Sequence, residues 1–238
     1  PKLIEQAIIL TQGYDVVVTN PPYMGSSGMG ARLAEFVKKQ YPDSKSDMST
    51  VFMQKCMDYC TESGYMSMIN IPVWMFLSSY EKLRKDIIEK KTIVSMAHFG
   101  RGIFGSDFGT TSFVISNKHV SKYLGSYRRL FEKQGTVDSV EQKEEWYLEG
   151  KGRFVARQDN FEKIPGAPVA YWVSEKFIEA YDRGISIDEI SDFTGSQHKT
   201  ADNDRFLRFI WEVQSKKIEE KEWIFYAKGG EYRKWYGN

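Results

Sequence analysis

The segment Asn20-Pro21-Pro22-Tyr23 combines residue types that can bind a planar amine. Two successive prolines fix an extended backbone and remove two N–H donors, so that carbonyl groups project as acceptors. Asn20 adds an amide oxygen beside them, and Tyr23 adds a flat ring with a polar tip. The ring could stack on a planar group while two acceptors take both hydrogens of its exocyclic amine. Adenine fits this description.

The chemistry open to this segment is the activation of a weak nucleophile, because the lone pair of the adenine amine is delocalised into the ring. Two acceptors that hold the amine hydrogens out of plane would localise that lone pair toward an electrophile, through positioning and electrostatics. The amine cannot be reached inside a duplex. The base would therefore have to be flipped out, at a cost of about a few kcal/mol, and stacked on aromatic side chains.

A β-branched run over residues 15–19, DVVVT, leads into this segment. The run predicts a short strand that is covered on both faces, as in a parallel sheet. Ligands of open α/β sheets bind beyond the carboxyl ends of the strands. Asn20 and Tyr23 are therefore predicted at a ligand-binding position.

Strand and helix patterns alternate behind this segment. YMSMINI, TIVSMAHF and FGTTSFVIS predict strands, the last in a hairpin at the edge of the sheet. ARLAEFVKKQ and the residues from about Ser46 predict helices, and Ser78 and Glu81 have capping-box spacing for another. This rhythm predicts an α/β fold with a doubly wound sheet.

The regular pattern ends near residue 120, which divides the chain. Residues 121–184 are charged and broken by glycines, and predict an irregular or antiparallel connection that closes with an amphipathic helix before Gly184. Residues 185–238 form a third region. Its tail, KGGEYRKWYGN, is aromatic, basic and glycine-rich, and we expect it to mark the end of a fragment.

The composition is that of a globular protein, with 41% hydrophobic and 27% charged residues. No apolar run approaches the roughly 20 residues needed to cross a bilayer, and the first residues lack the features of a signal peptide, so a cytoplasmic location without membrane contact is expected. Lys and Arg total 33 against 32 Asp and Glu. Any basic surface for nucleic acid must therefore be local.

The cysteines and histidines do not form a metal-ligating pattern. Cys56 and Cys60 recur with apolar neighbours at helical spacing, which predicts buried thiols on a helix face. A metal site would need more ligands nearby, but the histidines lie far apart in the sequence, at His98, His119 and His198. No metal is expected.

The sequence NPPY after a hydrophobic strand resembles motif IV of the adenine-specific amino-methyltransferases, which use S-adenosylmethionine. DMSTVFMQKCMDYCTESGYMSMINIPVW resembles the helix and strand that follow this motif, and FGRGIFGSDFGTTSFVIS resembles the later hairpin motif. More narrowly, YDVVVTNPPYMGSSGM, DNDRFLRFIWEV and KGGEYRKWYGN resemble the PglX methyltransferases of phage-exclusion (BREX) systems. The large fused restriction-modification methyltransferases are nearby relatives.

This resemblance implies a site-specific transfer of a methyl group to the N6 amine of adenine in double-stranded DNA. Asn20 and the Pro21 carbonyl would hold the target amine, and Tyr23 would stack on the base. A hairpin aromatic would cover the opposite face of the base, with Phe104 as the first candidate and Phe108 as the second. Both side chains could instead plug the hairpin against the core. The catalytic segment is Asn20, Pro21, Pro22 and Tyr23.

The resemblance also implies that the chain holds the C-terminal part of a Rossmann-like methyltransferase sheet. Residues 1–120 would be a partial catalytic domain, residues 121–184 a connecting region and residues 185–238 the start of a target-recognition domain. In the family, a glycine-rich loop and an acidic residue on earlier strands hold S-adenosylmethionine. Only a predicted helix, PKLIEQAIIL, precedes residue 15, so we expect the main cofactor motif upstream in a longer enzyme and no activity from this chain alone.

Several basic side chains are candidate DNA contacts. Arg101 lies between two glycines and could face a phosphate or lie in a solvated loop. For the others, DNA contact and ordinary surface charge explain the sequence equally well. They are Lys199, Arg205, Arg233 and Lys234. Phe209 and Trp211 are expected in the core.

Three other features have simpler structural explanations. GSSGMG, residues 25–30, does not match a phosphate loop and predicts a flexible link or a lid over the base. Asp47 predicts an N-cap. His98 predicts a strand-end residue without a role in proton transfer.

Two classes of function stay open on the sequence alone. The chain could belong to an enzyme, or to a non-catalytic DNA-binding or scaffold module that has kept the fold and acts with other defence proteins. An intact Asn20 and Tyr23 favour the enzyme, because a scaffold needs neither. Enzymes with the same tetrapeptide also methylate RNA adenine or a glutamine amide, and the downstream resemblance selects DNA.

Overall fold

The apolar and β-branched runs of the first half of the chain form a mixed sheet on which helices pack. The computed structural model describes residues 2–104, 108–185, 187–190 and 202–226. The chain divides into one compact unit over residues 1–185 and another over residues 186–238. The strands of the first unit are β1 (Tyr14–Thr19), β2 (Cys60–Asn70), β3 (Thr92–Arg101), β4 (Gly109–Ser116), β5 (Leu124–Arg129) and β6 (Arg153–Arg157). Its helices are α1 (Lys2–Thr11), α2 (Ala31–Gln40), α3 (Met48–Tyr59), α4 (Glu81–Lys90), α5 (Val140–Leu148) and α6 (Glu175–Arg183).

The strand order brings the functional ends of the strands together. Over the described residues the order is β1-β2-β4-β3-β5-β6. β1 and β2 are parallel, as are β3 and β5, whereas β4 is antiparallel to both β2 and β3. The carboxyl ends of β1, β2, β3 and β5 therefore meet at one edge of the sheet, together with the amino end of β4. We call this the carboxyl edge.

The main core lies where α3 and α4 pack on the sheet. Met53 and Met57 of α3 and Ile87 of α4 are buried against Met66 and Phe113 of the strands. The spacing of these residues puts one apolar face of each helix on the sheet, as the sequence predicts. Each buried side chain of this size contributes about 1.5–3 kcal/mol of hydrophobic stabilisation.

Both cysteines lie in this core, which confirms that the thiols are buried. Cys56 lies on α3 as predicted, but Cys60 is the first residue of β2 and not part of the helix. Burial, and then the neighbouring Cys60, raises the pKa of Cys56 to about 11. The thiol of Cys56 is therefore protonated at neutral pH and is a poor nucleophile.

The opposite face of β1 is open within the described residues. Val16 and Val18 of β1 expose 61% and 70% of their surface. The expectation that residues 15–19 are covered on both faces, as in a doubly wound sheet, is therefore wrong for the described part of the chain. A β-branched run predicts a strand but contains no information about what packs on each of its faces.

Three local predictions differ from the structure. β4 forms the predicted hairpin with β3, but it lies between β2 and β3 rather than at an edge. The sheet continues beyond residue 120, because β5 and β6 form an antiparallel pair that extends it. Ser78 does not cap α4: the helix begins at Glu81, after a 3-10 turn over Ser78–Tyr80, without a side-chain cap.

The second unit contains three short helices among its described residues: α7 (Ile187–Ile190), α8 (Asn203–Phe206) and α9 (Ser215–Glu219). Phe209 and Trp211 stack with ring centroids 4.5 Å apart. Both are exposed, so their predicted core position is wrong. Each ring covers one face of the other, which reduces their contact with water without a larger core.

No helix of the described residues combines the length and the apolar character needed to cross a bilayer.

Candidate active site

The Asn20–Tyr23 segment lies at the carboxyl edge, immediately after β1, which is where the sequence predicts it. Pro21 is buried, while Asn20 and Pro22 are exposed and Tyr23 is half-buried. The buried proline anchors the segment, and its fixed φ leaves little conformational freedom on either side. The Asn20 amide is therefore held at the edge but is open to a ligand.

The Tyr23 hydroxyl joins the ends of the two parallel strands. It donates to Asn20 Oδ1 at 2.8 Å and also lies 3.2 Å from the Ile69 carbonyl oxygen near the end of β2. Burial raises the pKa of Tyr23, so the phenol is a neutral donor at physiological pH. This bond fixes the amide oxygen beside the ring before any ligand arrives. An acceptor and a stacking surface are thus preorganised next to each other.

Phe108 provides the aromatic contact to Tyr23. The two ring centroids lie 5.4 Å apart in an edge-to-face arrangement with an interplanar angle of 76°. Phe104, the first candidate from the sequence, is half exposed and has no ring contact with Tyr23 among the described residues. The structure therefore brings Phe108 rather than Phe104 to the candidate site.

The chain that follows Tyr23 is fastened to the start of α3. Gly25 pairs with Asp47 in an isolated antiparallel bridge. The Met24 carbonyl accepts from the Met48 N–H at 2.9 Å. Asp47 accepts from the Ser49 N–H at 2.8 Å and caps the helix, which confirms its predicted role. The segment over residues 25–30, predicted as a link or a lid, is therefore anchored at its beginning.

The residues predicted to contact DNA belong to different parts of the chain. Arg101 is half-buried at the end of β3, where its Nη1 donates to the Gly135 carbonyl at 2.8 Å. Arg205 lies in the second unit, with its guanidinium 5.1 Å from the centroid of the Phe206 ring. Lys199, Arg233 and Lys234 lie outside the described residues.

No group of three or more His, Cys, Asp or Glu side chains in the described ranges is arranged to hold a metal ion. The described residues also do not fit the main binding motif for S-adenosylmethionine, because α1 occupies the chain before β1 and supplies no glycine-rich turn at a strand end.

Comparison with known proteins shows which proteins this chain is similar to. Residues 3–104 match the family model of the Eco57I restriction-modification methylase. The chain is 41% identical over 249 residues to the adenine-specific methyltransferase BrxX of Escherichia coli O9:H4 (strain HS), with 99% of the chain covered. It is 37% identical over 258 residues to the adenine-specific methyltransferase PglX of Lacticaseibacillus casei (strain Zhang), again with 99% covered. The predicted resemblance is confirmed.

The chain matches only a part of each of these relatives. The chain spans 20% of BrxX and 21% of PglX, about a fifth of these relatives. Among solved structures, the DrdV–DNA complex aligns with a TM-score of 0.50 and 13% identity, over 73% of this chain and 20% of DrdV. At this identity the structural match shows a shared fold alone.

A second group of side chains at the carboxyl edge surrounds His98 and was not predicted. His98 is buried, and its Nδ1 lies 3.2 Å from the Tyr171 hydroxyl. Its ring contacts Phe131 at a centroid distance of 4.8 Å and Phe76 at 6.3 Å. Burial, and then the charge of Arg129, lowers the pKa of His98 to about 4. His98 is therefore neutral at physiological pH.

This buried neutral histidine predicts a loss of stability in acid. Below its ordinary pKa of about 6.5, the unfolded chain takes up a proton that the folded chain excludes, so stability falls as the pH drops from about 6.5 to about 4. A shift of this size corresponds to at most about 3 kcal/mol. Hydrogen exchange of the β3 and β5 amides should show this loss of stability in the native protein.

His98→Gln, whose side chain stays neutral, should weaken the pH dependence of stability between pH 6.5 and about 4. An unchanged pH dependence in this variant would show that other groups cause it.

Proposed function

We propose that this chain is the target-adenine-binding part of a site-specific DNA methyltransferase that acts on the N6 amine. The observation that carries the proposal is the exposed Asn20 amide oxygen, held 2.8 Å from the Tyr23 hydroxyl at the carboxyl edge. The two similar proteins, BrxX and PglX, are both adenine-specific methyltransferases, which supports the same chemistry. The biological role we propose is modification of host DNA in phage defence or restriction-modification, in the cytoplasm.

The proposed mechanism depends on placement rather than on a strong base. An extruded adenine would rest on the Tyr23 ring, with Phe108 at the side of the pocket. Asn20 Oδ1 and the Pro21 carbonyl would accept the two amine hydrogens, which turns the nitrogen lone pair out of the base plane. As the nitrogen forms its bond to the methyl carbon, the bond from that carbon to the donor's sulfur would break, and the sulfur would leave as a neutral thioether. The nitrogen gains the positive charge, which both oxygens would stabilise until a proton leaves to solvent.

S-adenosylmethionine is the proposed methyl donor. It would supply an electrophilic methyl group, and we propose that residues outside this chain bind its methionine and ribose. Calorimetry with S-adenosylmethionine should give no heat with the 238-residue chain and clear binding with the native protein that carries it. Tight binding by the chain alone would contradict this part of the proposal.

The finer division of the chain is also a proposal. Residues 1–120 would be the C-terminal part of a Rossmann-like methyltransferase sheet, with β5 and β6 extending that sheet into the connecting region over residues 121–184. Residues 185–238 would begin the target-recognition domain. Double-stranded DNA is the proposed partner, alongside other proteins of the defence system.

The test of the proposed function is the identity of the methylated product. The native protein would be incubated with S-adenosylmethionine that carries a deuterated methyl group, and with duplex DNA, RNA and protein in turn. Mass spectrometry of the digested products should find labelled N6-methyladenine from duplex DNA alone. Label in RNA or in glutamine would support those substrates instead. DNA binding without any label would support a scaffold.

Tyr23 should act mainly through its ring. Tyr23→Phe keeps the stacking surface and loses the bond to Asn20, so methylation should fall by no more than about threefold. Tyr23→Ala removes stacking worth about 1–3 kcal/mol per base, which weakens binding of the extruded base by about tenfold to a hundredfold. Fluorescence of 2-aminopurine at the target position measures this binding. Equal losses in both variants would show that the hydroxyl, not the ring, is the essential group.

A further inference from the structure

Arg129 is a half-buried cation without an acidic partner. It lies at the end of β5, on the carboxyl edge. Within the described ranges its guanidinium makes no ion pair and no hydrogen bond; its contacts are the rings of Phe131 and Phe154, with centroids at 5.8 and 5.5 Å. A partly desolvated guanidinium with unused donors is costly in the free protein and well suited to an incoming anion. Its planar fork matches a phosphate better than a point charge would.

Two half-exposed aromatic side chains belong to the same surface. Phe76 and Trp172 each expose 38% of their area, and their ring centroids lie 5.8 Å apart. Phe76 packs on His98, and Trp172 packs at 90° on Tyr171. These supporting residues are buried, so the two exposed rings are held in place and would lose little conformational entropy on binding.

Arg129 is connected to this aromatic pair through shared neighbours, because its contact Phe131 packs on His98 and its contact Phe154 packs on Tyr171. His98 is its direct partner across β3 and β5. Burial, and then the positive charge of Arg129, lowers the pKa of His98, whereas burial raises the pKa of Tyr171 and Arg129 opposes that rise. The two exposed rings rest on these two side chains. We call Arg129, Phe76 and Trp172 the Arg129 surface. A guanidinium beside fixed aromatic rings is the combination that binds a phosphate and its attached sugar or base.

The Arg129 surface shares the carboxyl edge with the Asn20–Tyr23 segment. β5 is four strand spacings from β1 in the sheet order, or about 19 Å at about 4.8 Å each. A duplex rises about 3.4 Å per base pair, so this separation corresponds to about five to six base pairs. The surface is therefore too distant for the extruded base and is placed for the flanking duplex.

We propose that Arg129 binds a backbone phosphate of the DNA about five to six base pairs from the target adenine, and that Phe76 and Trp172 pack on the adjoining sugar. This inference rests on the proposed function, because it requires DNA along the carboxyl edge. The contact is to the backbone, so it positions the duplex without reading its sequence.

The test is the salt dependence of DNA binding by the native protein. Arg129→Gln should weaken binding of the target duplex by about fivefold to tenfold at 0.15 M salt. It should also reduce the slope of log K against log salt by about 0.9, the value for one phosphate contact. Arg129→Lys keeps the charge and should keep the slope. Trp172→Ala should weaken binding without changing the slope.

Arg128 provides the matched control. It precedes Arg129 on β5 and points to the other face of the sheet. There its guanidinium lies 5.0 Å from the centroid of the Tyr147 ring, and its Nη1 donates to the Lys151 carbonyl at 3.2 Å. Arg128→Gln removes the same charge and should leave the slope unchanged. The proposal would be overturned if Arg129→Gln kept the wild-type slope of log K against log salt. It would also be overturned if Arg129→Gln and Arg128→Gln reduced that slope equally. Hydrogen exchange of β5 would verify that each variant is folded. Failure of the wild-type protein to bind any DNA would instead contradict the proposed function.

Discussion

Replacement of Asn20 by Ala is expected to remove nearly all methylation by the native protein while DNA binding persists. The variant loses one of the two acceptors that orient the amine lone pair, a contact that gains strength as positive charge develops on nitrogen. Loss of one preorganised polar group of this kind costs about a hundredfold to a thousandfold in turnover. The side chain is exposed and its only described bond is to the Tyr23 hydroxyl, so stability should change little.

The assay for this variant is single-turnover methylation of a duplex at saturating protein, with binding measured separately. Asn20→Asp keeps an acceptor oxygen at the same place and should retain measurable turnover. Asn160→Ala is the matched control, because it makes the same substitution away from the candidate site. Asn160 follows β6 at the opposite edge of the sheet, and its replacement should leave turnover unchanged. Normal turnover in Asn20→Ala would remove Asn20 from the mechanism.

Replacement of Arg84 by Met is expected to cause the largest loss of stability. Arg84 is 1% exposed and has no carboxylate bound to it in the described residues. Its guanidinium donates instead to four backbone carbonyls, of Trp74, Leu77, Gly166 and Ala167, at 2.6–3.2 Å. Removing the side chain leaves these buried acceptors without donors. By analogy with the breaking of other buried charged networks, the cost is about 3–5 kcal/mol.

Arg84→Met should first loosen the two segments that Arg84 joins, and only then lower the stability of the whole unit. These segments are the one after β2 and the one before Tyr171. Hydrogen exchange in residues 72–77 and 164–172 should accelerate first, and methylation should fall with it. Lys85→Met on the same helix is the control, since it removes only a solvent-exposed ion pair with Glu81, which adds little to stability. Equal protection in Arg84→Met and the wild type would show that the carbonyls find other donors.

The local features of the candidate site could be predicted from the sequence. β1 and the turn after it follow from a β-branched run and two prolines, whose preferences act over neighbouring residues. The cap at Asp47 is equally local, since it needs only a carboxylate and the N–H groups two or three residues on. These are the features on which the position of Asn20 and Tyr23 depends.

The remaining features depend on contacts between distant residues. Order along the chain ranked Phe104 before Phe108, but the ring that contacts Tyr23 is decided by how the β3–β4 hairpin packs. Arg84 lies in the charged sequence EKLRKDIIEK, which is typical of a solvent-exposed helix. Its burial depends on carbonyls about 80 residues away.

The same limit applies to β5 and the Arg129 surface. The sequence LGSYRR has weak strand character, and it joins the sheet because it pairs with β3 and β6. Arg129 faces the aromatic rings only in that pairing, because strand residues alternate between the two faces. A polar strand of this kind is recognised only when its partners are known.

The most direct test of the account is a structure of the native protein with duplex DNA and a non-reactive cofactor analogue. In that complex the target adenine should be flipped out and should rest on the Tyr23 ring. Its N6 should lie within about 3 Å of both Asn20 Oδ1 and the Pro21 carbonyl oxygen. The Tyr23 hydroxyl should then have moved away from Asn20 Oδ1. An adenine still stacked in the duplex in that complex, or an amine bound by other residues, would contradict it.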